Sequence, residues 1–405
     1  MFLDEVEGRV SRDVANNVID WRGLQVATYD ERTQRLVYAQ PRRLVVNKAT
    51  RRGVELVELT QRDSHWHNGI TTSDDGVSIM CTPNHMLYVK RDDDTFVKTS
   101  ASDVLRNTDD DDVRLMARAV KGVTTTTSND DELQTMMRTL GLTTTTSIRA
   151  FVTLVGCWLA SGVTTNNKSS VSLMTCDATR VRALLRECGV TRAEYLERNT
   201  INIDNVTIEV KKVTWARVLC DATRVPTWAL TLSTDLAAAL LAGMHLTDTH
   251  RHHHHRDNNA VRVMSVRASS RRVRDDLMRI ALHAGYSATF TAATDDGDDA
   301  WIITYDDESE PCIRRKGDDV MRRVQHYTGR TWCFDMNDGF VVVRRAERDV
   351  DGSVVRASRA TIQGNCSEEL QTHGDHHRFG GTKKRAGSHV FVDPQTDTQL
   401  EDWYV

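Results

Sequence analysis

An asparagine stands directly before a cysteine at Asn365-Cys366, and this pair of residue types can rearrange the backbone that joins them. The Asn side-chain amide can attack its own main-chain carbonyl and form a succinimide, which releases the chain that follows. The Cys thiolate can accept an acyl group and pass it to its own amine by an S-to-N shift. An Asn-Cys pair is common, so its meaning depends on the groups that surround it.

A second candidate group lies far upstream, in the tetrapeptide Thr82-Pro83-Asn84-His85. Apolar runs at 77–81 and 86–89 flank it and predict two strands joined by a turn. An imidazole held at a strand end can donate, once protonated, to the nitrogen of a departing peptide bond, and Thr82 could polarise the same peptide. An ordinary Pro-Asn turn is the alternative, and the tetrapeptide alone favours it.

Short strands are the elements that would position these groups. Residues 1–120 contain runs rich in β-branched and aromatic residues between polar turns, which is typical of a compact all-β module. Similar runs return at 331–334, 340–344 and 360–362, and the last leads directly into Asn365. The final part of the chain is therefore expected to return to the same β module.

The segment between these two parts contains an internal repeat. Residues 154–161 (LVGCWLAS) align with residues 241–248 (LAGMHLTD), and each copy ends a predicted helix, 148–161 or 235–248. Each copy then continues into a strand, a helix closed by glycine, and further β-like runs. Two similar α/β halves predict a saddle with twofold pseudosymmetry, a shape that suits duplex DNA.

Small residues mark the face through which the two predicted helices would pack. Residues four apart share a helix face, and small side chains there let two backbones come close. The small residues concerned are Gly156, Ala160, Ala239 and Gly243. The last residues of the two helices, Ser161 and Asp248, would then meet at one end of the pair.

Basic residues beside this repeat are candidates for contacts with DNA. The net charge is only −4, so a local basic face would have to supply these contacts. The candidates are Lys211, Lys212, Arg267, Arg271, Arg272 and Arg274. A solvated helix face is the alternative, because Asp275 and Asp276 dilute the positive field. The histidine run at 252–255 is interpreted as an insertion loop rather than a metal site.

The composition limits the number of domains and the kind of compartment that we expect for this protein. The chain has 405 residues, 39% of them hydrophobic and 27% charged, enough for two or three domains. Its eight cysteines form no CxxC pair, which favours a reducing compartment over a disulfide framework. We expect no secretory signal, no membrane contact and a monomer.

In their order, these motifs resemble an intein, a self-splicing element whose all-β Hint module is interrupted by a LAGLIDADG homing endonuclease. The resemblance covers most of residues 20–366. It implies an α+β fold, in which an all-β Hint module is split by an α/β pseudo-twofold endonuclease domain. The implied parts are the Hint module at 1–122 and 328–365, the endonuclease at 123–327, and a host-protein fragment (C-extein) at 366–405.

The resemblance also implies roles for the motif residues. His85, aided by Thr82, would activate the upstream scissile peptide, Cys366 would attack the resulting ester, and Asn365 would cyclise to free the intein. Cys333 lies where the family commonly has Asp or Cys and would assist these steps. No cofactor is implied for splicing.

For the endonuclease, the resemblance implies double-stranded DNA as substrate and Mg²⁺ as cofactor. Asp248 would bind the metal for phosphodiester hydrolysis, and Ser161 occupies the second metal position. A hydroxyl is a poor substitute for a carboxylate, so we expect a weakened or inactive nuclease.

The chain departs from the splicing pattern at several positions. Cys81 is the first cysteine, so no convincing nucleophile opens the element. Gly364 stands where the family usually has histidine, and Asn337 and Asp338 lie near the usual place of a helper histidine. Asn365 cyclisation is therefore expected to be slow or assisted by another group.

Three functions remain open from the sequence. An intein with a decayed endonuclease is favoured, and direct attack by Cys333 on the upstream junction is an alternative splicing route. A free-standing homing endonuclease with a vestigial β module comes second, and an inactive DNA-binding relic comes third. The host sequence in cis is the implied partner. The host also sets the localisation, expected in an intracellular, reducing compartment.

Overall fold

The computed structural model describes most of the chain and divides it into two compact units. The described residues are 12–13, 18–19, 25–48, 53–67, 70–106, 112–119, 122–123, 129–161, 163–164, 171–175, 177–199, 206–211, 224–246, 264–293, 300–307, 309–317, 319–348, 354–364 and 401–404. Unit 1 contains Met1–Lys121 and Glu308–Val405, and unit 2 contains Gly122–Asp307. The chain is a mixed α and β protein.

Unit 1 is built mainly of strands from two separate stretches of chain. The first stretch forms β1 (Arg12–Asp13), β2 (Val18–Ile19), β3 (Val26–Asp30), β4 (Arg35–Ala39), β5 (Arg43–Lys48), β6 (Val54–His67), β7 (Ile70–Cys81), β8 (Met86–Lys90), β9 (Phe96–Ser100), helix α1 (Ala101–Arg106) and β10 (Val113–Arg114). The second stretch forms β18 (Cys312–Ile313), β19 (Val320–Tyr327), β20 (Arg330–Asp335), β21 (Phe340–Arg348), β22 (Val354–Ala357), β23 (Thr361–Gly364) and β24 (Glu401–Tyr404).

Antiparallel ladders join the first stretch of unit 1 to the second. Strand β5 pairs with β20, β6 with β19, β8 with β23, and β10 with β18. Most of these pairs join residues that are more than two hundred positions apart, so no local turn can set their register. The register is set instead by burial of one face of each strand, because a slip by one residue would expose the apolar side chains.

The core of unit 1 is shared by both stretches. Leu56, Leu59 and Ile79 from the first stretch pack in one cluster with Phe334 and Val341 from the second, all at most 4% exposed. Burial of each such side chain contributes roughly 1.5–3 kcal/mol. Neither stretch can bury its apolar face alone.

A buried ion pair also links the two stretches. The Arg345 guanidinium on β21 donates to Glu58 Oε1 on β6 at 3.3 Å and to Ser78 Oγ on β7 at 3.0 Å. Glu58 Oε2 also accepts from Arg322 Nε on β19 at 2.6 Å, so this carboxylate joins two arginines of the second stretch to β6. The pair therefore favours one alignment of β21 over β6 and β7.

The sequence placed the second domain boundary after residue 327, whereas the structure divides the chain after Asp307. The difference arises because β18 and β19 pair with β10 and β6, all of which belong to unit 1. In strand β19 half of the residues are exposed and half are partly buried, and its partner β6 is more than 250 positions away, so the pairing cannot be predicted from local sequence.

Unit 2 contains helices and two small sheets. Its elements are α2 (Asn129–Thr139), α3 (Thr145–Ser161), β11 (Val163–Thr164), β12 (Val171–Thr175), α4 (Ala178–Glu187), β13 (Tyr195–Asn199), β14 (Val206–Val210), α5 (Thr234–Met244), β15 (Met264–Ala268), α6 (Arg271–His283), β16 (Ser287–Ala292) and β17 (Trp301–Asp306). Short 3₁₀ turns lie at Arg192–Glu194 and Thr227–Thr231.

The repeat predicted from the sequence is present in unit 2. Helix α3 is followed by β12, α4, β13 and β14, and helix α5 by β15, α6, β16 and β17. In both copies the first strand pairs with the third and the third with the second. The first copy has one more short strand, β11, which pairs with β12. The shared order of the other three strands means that unit 2 is built from two similar halves.

Glycines bring helices α3 and α5 into backbone contact. A Cβ added to Gly156 would collide with the Leu240 carbonyl, and one added to Gly243 would collide with the Thr153 carbonyl. The Cys157 thiol donates to the Gly243 carbonyl at 3.1 Å. Close packing through Gly156 and Gly243 was expected, but Ala160, expected on the same face, is exposed.

The bounds of the helix pair differ from the expected ones. Helix α3 starts at Thr145 rather than 148, because Thr144 Oγ1 accepts from the Ser147 N–H at 3.1 Å and caps the first turn. Helix α5 ends at Met244, where the His245 N–H bonds to the Leu241 carbonyl. Among the described residues, no helix is long and apolar enough to cross a membrane.

Candidate functional site

The turn that carries His85 is held by backbone hydrogen bonds. The His85 N–H donates to the Thr82 carbonyl at 3.0 Å, and the Ala101 N–H donates to the His85 carbonyl at 2.8 Å. The Ser102 N–H donates to the Pro83 carbonyl at 2.8 Å. Pairing of the turn with the start of α1 fixes the position of His85, which is 1% exposed.

The His85 imidazole bonds to the strand that leads into Asn365. His85 Nε2 lies 2.7 Å from Gln363 Oε1, and both side chains are buried. The Gln363 amide nitrogen donates to Thr361 Oγ1 at 3.0 Å, so its oxygen faces the imidazole and accepts from Nε2–H. Gln363 also pairs with Leu87 in the ladder between β23 and β8.

Asn365 and Cys366 lie outside the described residues, and the described part of the strand ends at Gly364. Gln363 is two residues before Asn365 in the sequence. The structure therefore brings the upstream histidine motif to β23, the strand that directly precedes the Asn-Cys pair in the sequence. The histidine motif and β23 are far apart in the sequence.

Thr82 has an unused hydroxyl. Its Oγ1 is buried and has no hydrogen-bond partner among the described residues. A buried hydroxyl without a partner costs free energy, roughly 1–3 kcal/mol, and such groups often mark functional sites. Thr82 can therefore donate to a peptide carbonyl without first breaking another bond.

Cys333 lies in the core of unit 1. It is 1% exposed, pairs through its backbone with Val45, and its thiol donates to the Phe334 carbonyl at 3.5 Å. A nucleophile must reach the peptide that it attacks, and this thiol is packed among apolar side chains. The position favours packing over direct attack on an upstream junction.

The end of helix α3 does not present metal ligands. The Ser161 hydroxyl donates to the Cys157 carbonyl of its own helix at 3.3 Å, and Asp248 lies outside the described residues. Across the described ranges, no three His, Cys, Asp or Glu side chains cluster as metal ligands would. The donors that the structure describes here do not fit a divalent metal ion.

Most of the predicted DNA-contacting residues in the described part of unit 2 are accessible. Arg271 and Arg272 are exposed on the first turn of α6, Lys211 is exposed after β14, and Arg267 is partly exposed on β15. Lys212 lies outside the described residues. These residues therefore lie at exposed or partly exposed positions after β14, on β15 and at the start of α6.

Arg274 is an exception, and its prediction as a DNA contact is wrong. It is 0% exposed, and its Nη2 lies 2.8 Å from Asp275 Oδ1. Its guanidinium lies 4.3 Å from the ring centroid of Phe290 and 4.9 Å from that of Trp301. Cation–π contacts and an ion pair hold the side chain inside unit 2. The sequence could not show this, since both aromatic partners come from strands later in the chain.

Two residues in or near strand β23 were missed by the sequence analysis. Gln363 is the bonding partner of His85, and its only signal was a polar side chain inside the apolar run at 360–364. Lys98 on β9 contacts Phe340 and Gly364 and gave no signal of its own, because those neighbours are distant in the sequence.

Comparisons with known proteins add little. No family model matches the chain, and no curated protein matches it by sequence. Among solved structures it is similar to a substituted form of I-DmoI in complex with its target DNA, in the presence of 2 mM Mn. The TM-score is 0.28 and the identity 9%, over 40% of this chain and 87% of that one. Such a low overlap does not establish a shared fold.

Proposed function

We propose that this chain is an intein-type protein that cleaves its own backbone between Asn365 and Cys366. The hydrogen bond between His85 and Gln363 supports the proposal most directly, because it joins the upstream histidine motif to the strand that enters the Asn-Cys pair. The Thr82 hydroxyl in the same turn, which has no hydrogen-bond partner in the part of the chain that the structure describes, adds a donor for a polarised peptide carbonyl.

The cleavage step needs no cofactor. Asn365 Nδ2 attacks the main-chain carbonyl carbon of the same residue, and a new C–N bond closes the succinimide. The peptide bond to Cys366 breaks, and one proton passes from Nδ2 to the departing nitrogen. The products are a chain that ends in a succinimide and a fragment that begins with the free amine of Cys366. That cysteine can also accept an acyl group, as splicing requires.

Intact-mass spectrometry of the full chain tests the proposal. We expect time-dependent release of a fragment that begins at Cys366, and we expect Asn365→Ala to abolish it. Asn199→Ala, in the other unit, is the matched control and should release the fragment at the wild-type rate. A chain that stays whole, or release that persists in Asn365→Ala, would contradict the proposal.

A second function is favoured by the architecture of unit 2, and we propose that this unit binds duplex DNA. Two similar α/β halves pack through Gly156 and Gly243, a partly exposed arginine lies on β15, and two exposed arginines lie at the start of α6. Such side chains bind phosphates and release counterions. Because a hydroxyl, that of Ser161, stands at one of the two expected metal positions and donates to the Cys157 carbonyl, we propose that the nuclease is weakened.

DNA binding and cutting can be measured separately. We expect Arg271→Ala and Arg272→Ala to weaken binding of a random duplex and to lower the salt slope by about one each. Arg138→Ala, on exposed α2, is the control. With insertion-site DNA and Mg²⁺ we expect little double-strand cutting, so robust cutting would overturn the weakened nuclease. DNA cutting without release of the fragment that begins at Cys366 would favour a free-standing endonuclease. The absence of both DNA cutting and fragment release would favour an inactive DNA-binding relic.

A further inference from the structure

A chain of three buried side chains connects strand β23 to the turn that carries His85. The Gln363 amide nitrogen donates to Thr361 Oγ1 at 3.0 Å, and the Gln363 amide oxygen lies 2.7 Å from His85 Nε2. Thr361 and Gln363 are two residues apart on β23, so both lie on one face of the strand. All three residues are 1% exposed, so bulk water has little access to either hydrogen bond.

The backbones at both ends of this chain of side chains are fixed. The His85 N–H donates to the Thr82 carbonyl, and the His85 carbonyl accepts from the Ala101 N–H. Gln363 pairs with Leu87 in the ladder between β23 and β8, and β23 pairs along its length with β21. The fold itself therefore determines which nitrogen of the imidazole faces the Gln363 amide.

The position of the hydrogen atoms follows from the donors and acceptors. An amide oxygen has no hydrogen to give, so His85 Nε2 carries the hydrogen in its bond to Gln363. A neutral imidazole has one such hydrogen, so Nδ1 is the nitrogen that takes up a proton. The protonated ring has a hydrogen on both nitrogens and keeps the same bond. Uptake and loss of a proton at Nδ1 therefore leave the contact with Gln363 intact.

The acceptor that fixes the ring carries no charge. A carboxylate at the place of the Gln363 amide would favour the charged form of the imidazole and hold the ring as a buried cation. A group that only donates would instead require the hydrogen of the neutral ring to lie on Nδ1. An amide oxygen fixes the hydrogen on Nε2 without adding a negative charge beside the ring.

We infer that Gln363 is a positioning residue that selects the Nε2–H tautomer of His85, and that Thr361 orients the Gln363 amide for this purpose. Every proton that the imidazole exchanges with a peptide group then passes through Nδ1, while Nε2 keeps its hydrogen. The tautomer is a property of the folded chain before any reaction. Its importance for fragment release rests on the proposed self-cleavage.

Nuclear magnetic resonance measures the tautomer directly. Long-range correlations between hydrogen and ¹⁵N in labelled histidine show which ring nitrogen carries the hydrogen. Full-length Asn365→Ala is the parent chain, because it should stay whole during the measurement, and the loss of signals in His85→Gln assigns that ring. At about pH 8, where an ordinary imidazole is neutral, we expect the hydrogen on Nε2. A hydrogen on Nδ1 would overturn the inference.

Substitutions in the parent chain separate tautomer selection from packing. Thr361→Val keeps the shape of the side chain but removes the acceptor of the Gln363 amide, so we expect a mixture of the two tautomers, and Thr361→Ser should restore Nε2–H. Gln363→Glu should keep both ring nitrogens protonated at about pH 8. Thr60→Val is the matched control, because this buried threonine on β6 bonds only to Ser78 among the described residues, and it should keep the parent tautomer.

Release rates in the chain with Asn365 intact test the link to self-cleavage. A ring that stays charged cannot take up a proton, so we expect Gln363→Glu to slow release by roughly 10²-fold, the lower end of what one acid–base group contributes. Thr60→Val should release the fragment at the wild-type rate. Melting temperatures measured by circular dichroism show whether any variant has lost its fold, and Thr361→Ser keeps the test open if Thr361→Val does not fold.

The outcomes distinguish this inference from the proposed function. A folded Thr361→Val with the tautomer of the parent overturns the role of Thr361, and a Gln363→Glu ring that is neutral or a release rate equal to wild type overturns the role of Gln363. Fragment release by a chain with the hydrogen on Nδ1 sinks the inference and leaves self-cleavage standing. A chain with the hydrogen on Nε2 that never releases a fragment overturns self-cleavage and leaves the tautomer assignment intact.

Discussion

At the scale of single residues, one buried hydrogen bond joins the two ends of the candidate site. We predict that Gln363→Met destabilises unit 1 by about 1–3 kcal/mol, because the hydrogen bond between the buried His85 imidazole and Gln363 is lost. The same change should slow release at Cys366, since the bond aligns β23 on β8. Thermal unfolding and release rates check both effects.

Gln325→Met is the control for that prediction. Gln325 is exposed on β19 and donates to Glu55. Its loss should change the melting temperature little, because solvent can replace the bond. A melting temperature for Gln363→Met equal to that of the control would show that the bond contributes nothing measurable.

A half-buried carboxyl group in unit 2 predicts how the stability of the folded state depends on pH. Burial raises the pKa of Asp276 to about 6, with Arg272 opposing the rise. The folded state therefore binds the proton more tightly than the unfolded state does. The ionised carboxylate lowers the stability of the folded state at pH values above about 6, and this cost disappears as the pH falls below the ordinary pKa of 3.8. Asp276→Asn should therefore raise the melting temperature at pH 7 and have little effect below pH 3.8.

The matched control is Asp275→Asn at the neighbouring position. Its carboxylate accepts from the buried Arg274, so removing it should lower the melting temperature. A gain from Asp276→Asn that is equal at pH 7 and at pH 3.5 would show that the carboxyl charge is not the cause.

At the scale of elements, helices α3 and α5 depend on the absence of side chains at their contact. We predict that Gly156→Ala destabilises unit 2 by about 1–3 kcal/mol or more, because the new Cβ collides with the Leu240 carbonyl and forces the helices apart. Ala160→Ser, exposed on the same helix, is the control. Chemical denaturation of the two variants compares them, and an unchanged midpoint for Gly156→Ala would contradict the packing.

The same elements show what the sequence can and cannot predict. The repeat and the Gly156–Gly243 contact were predictable, because the spacing of small residues along a helix face can be recognised within a short stretch of sequence. The burial of Arg274 was not, because Phe290 and Trp301 reach it from distant strands. Lys98 was missed for the same reason, since β21 and β23 bring its neighbours to it only in the folded chain.

At the scale of the whole molecule, unit 1 should fold without unit 2. The ladders that join its two stretches, and its core cluster, lie within residues 1–121 and 308–405. The Ala117 N–H donates to the Ser309 carbonyl at 3.0 Å, so the two ends that unit 2 separates are adjacent. We predict that replacing residues 122–307 with a short Gly/Ser linker leaves a cooperative fold that still releases its C-terminal fragment.

Asn365→Ala in the shortened chain is the control and should fold equally well without release. Circular dichroism and intact-mass spectrometry measure the two properties. A shortened chain that is unfolded would show that unit 1 needs unit 2, while a folded chain that stays whole would place part of the cleavage machinery in unit 2.

The antiparallel ladders between the two stretches of unit 1 have a consequence for timing during synthesis. The early strands are made first but remain without partners until the late strands emerge, and the strand ending at Gly364 emerges last among those that enclose His85. Long-range pairing of this kind is slow. The surroundings of His85 therefore cannot be completed during synthesis until residue 364 has left the ribosome.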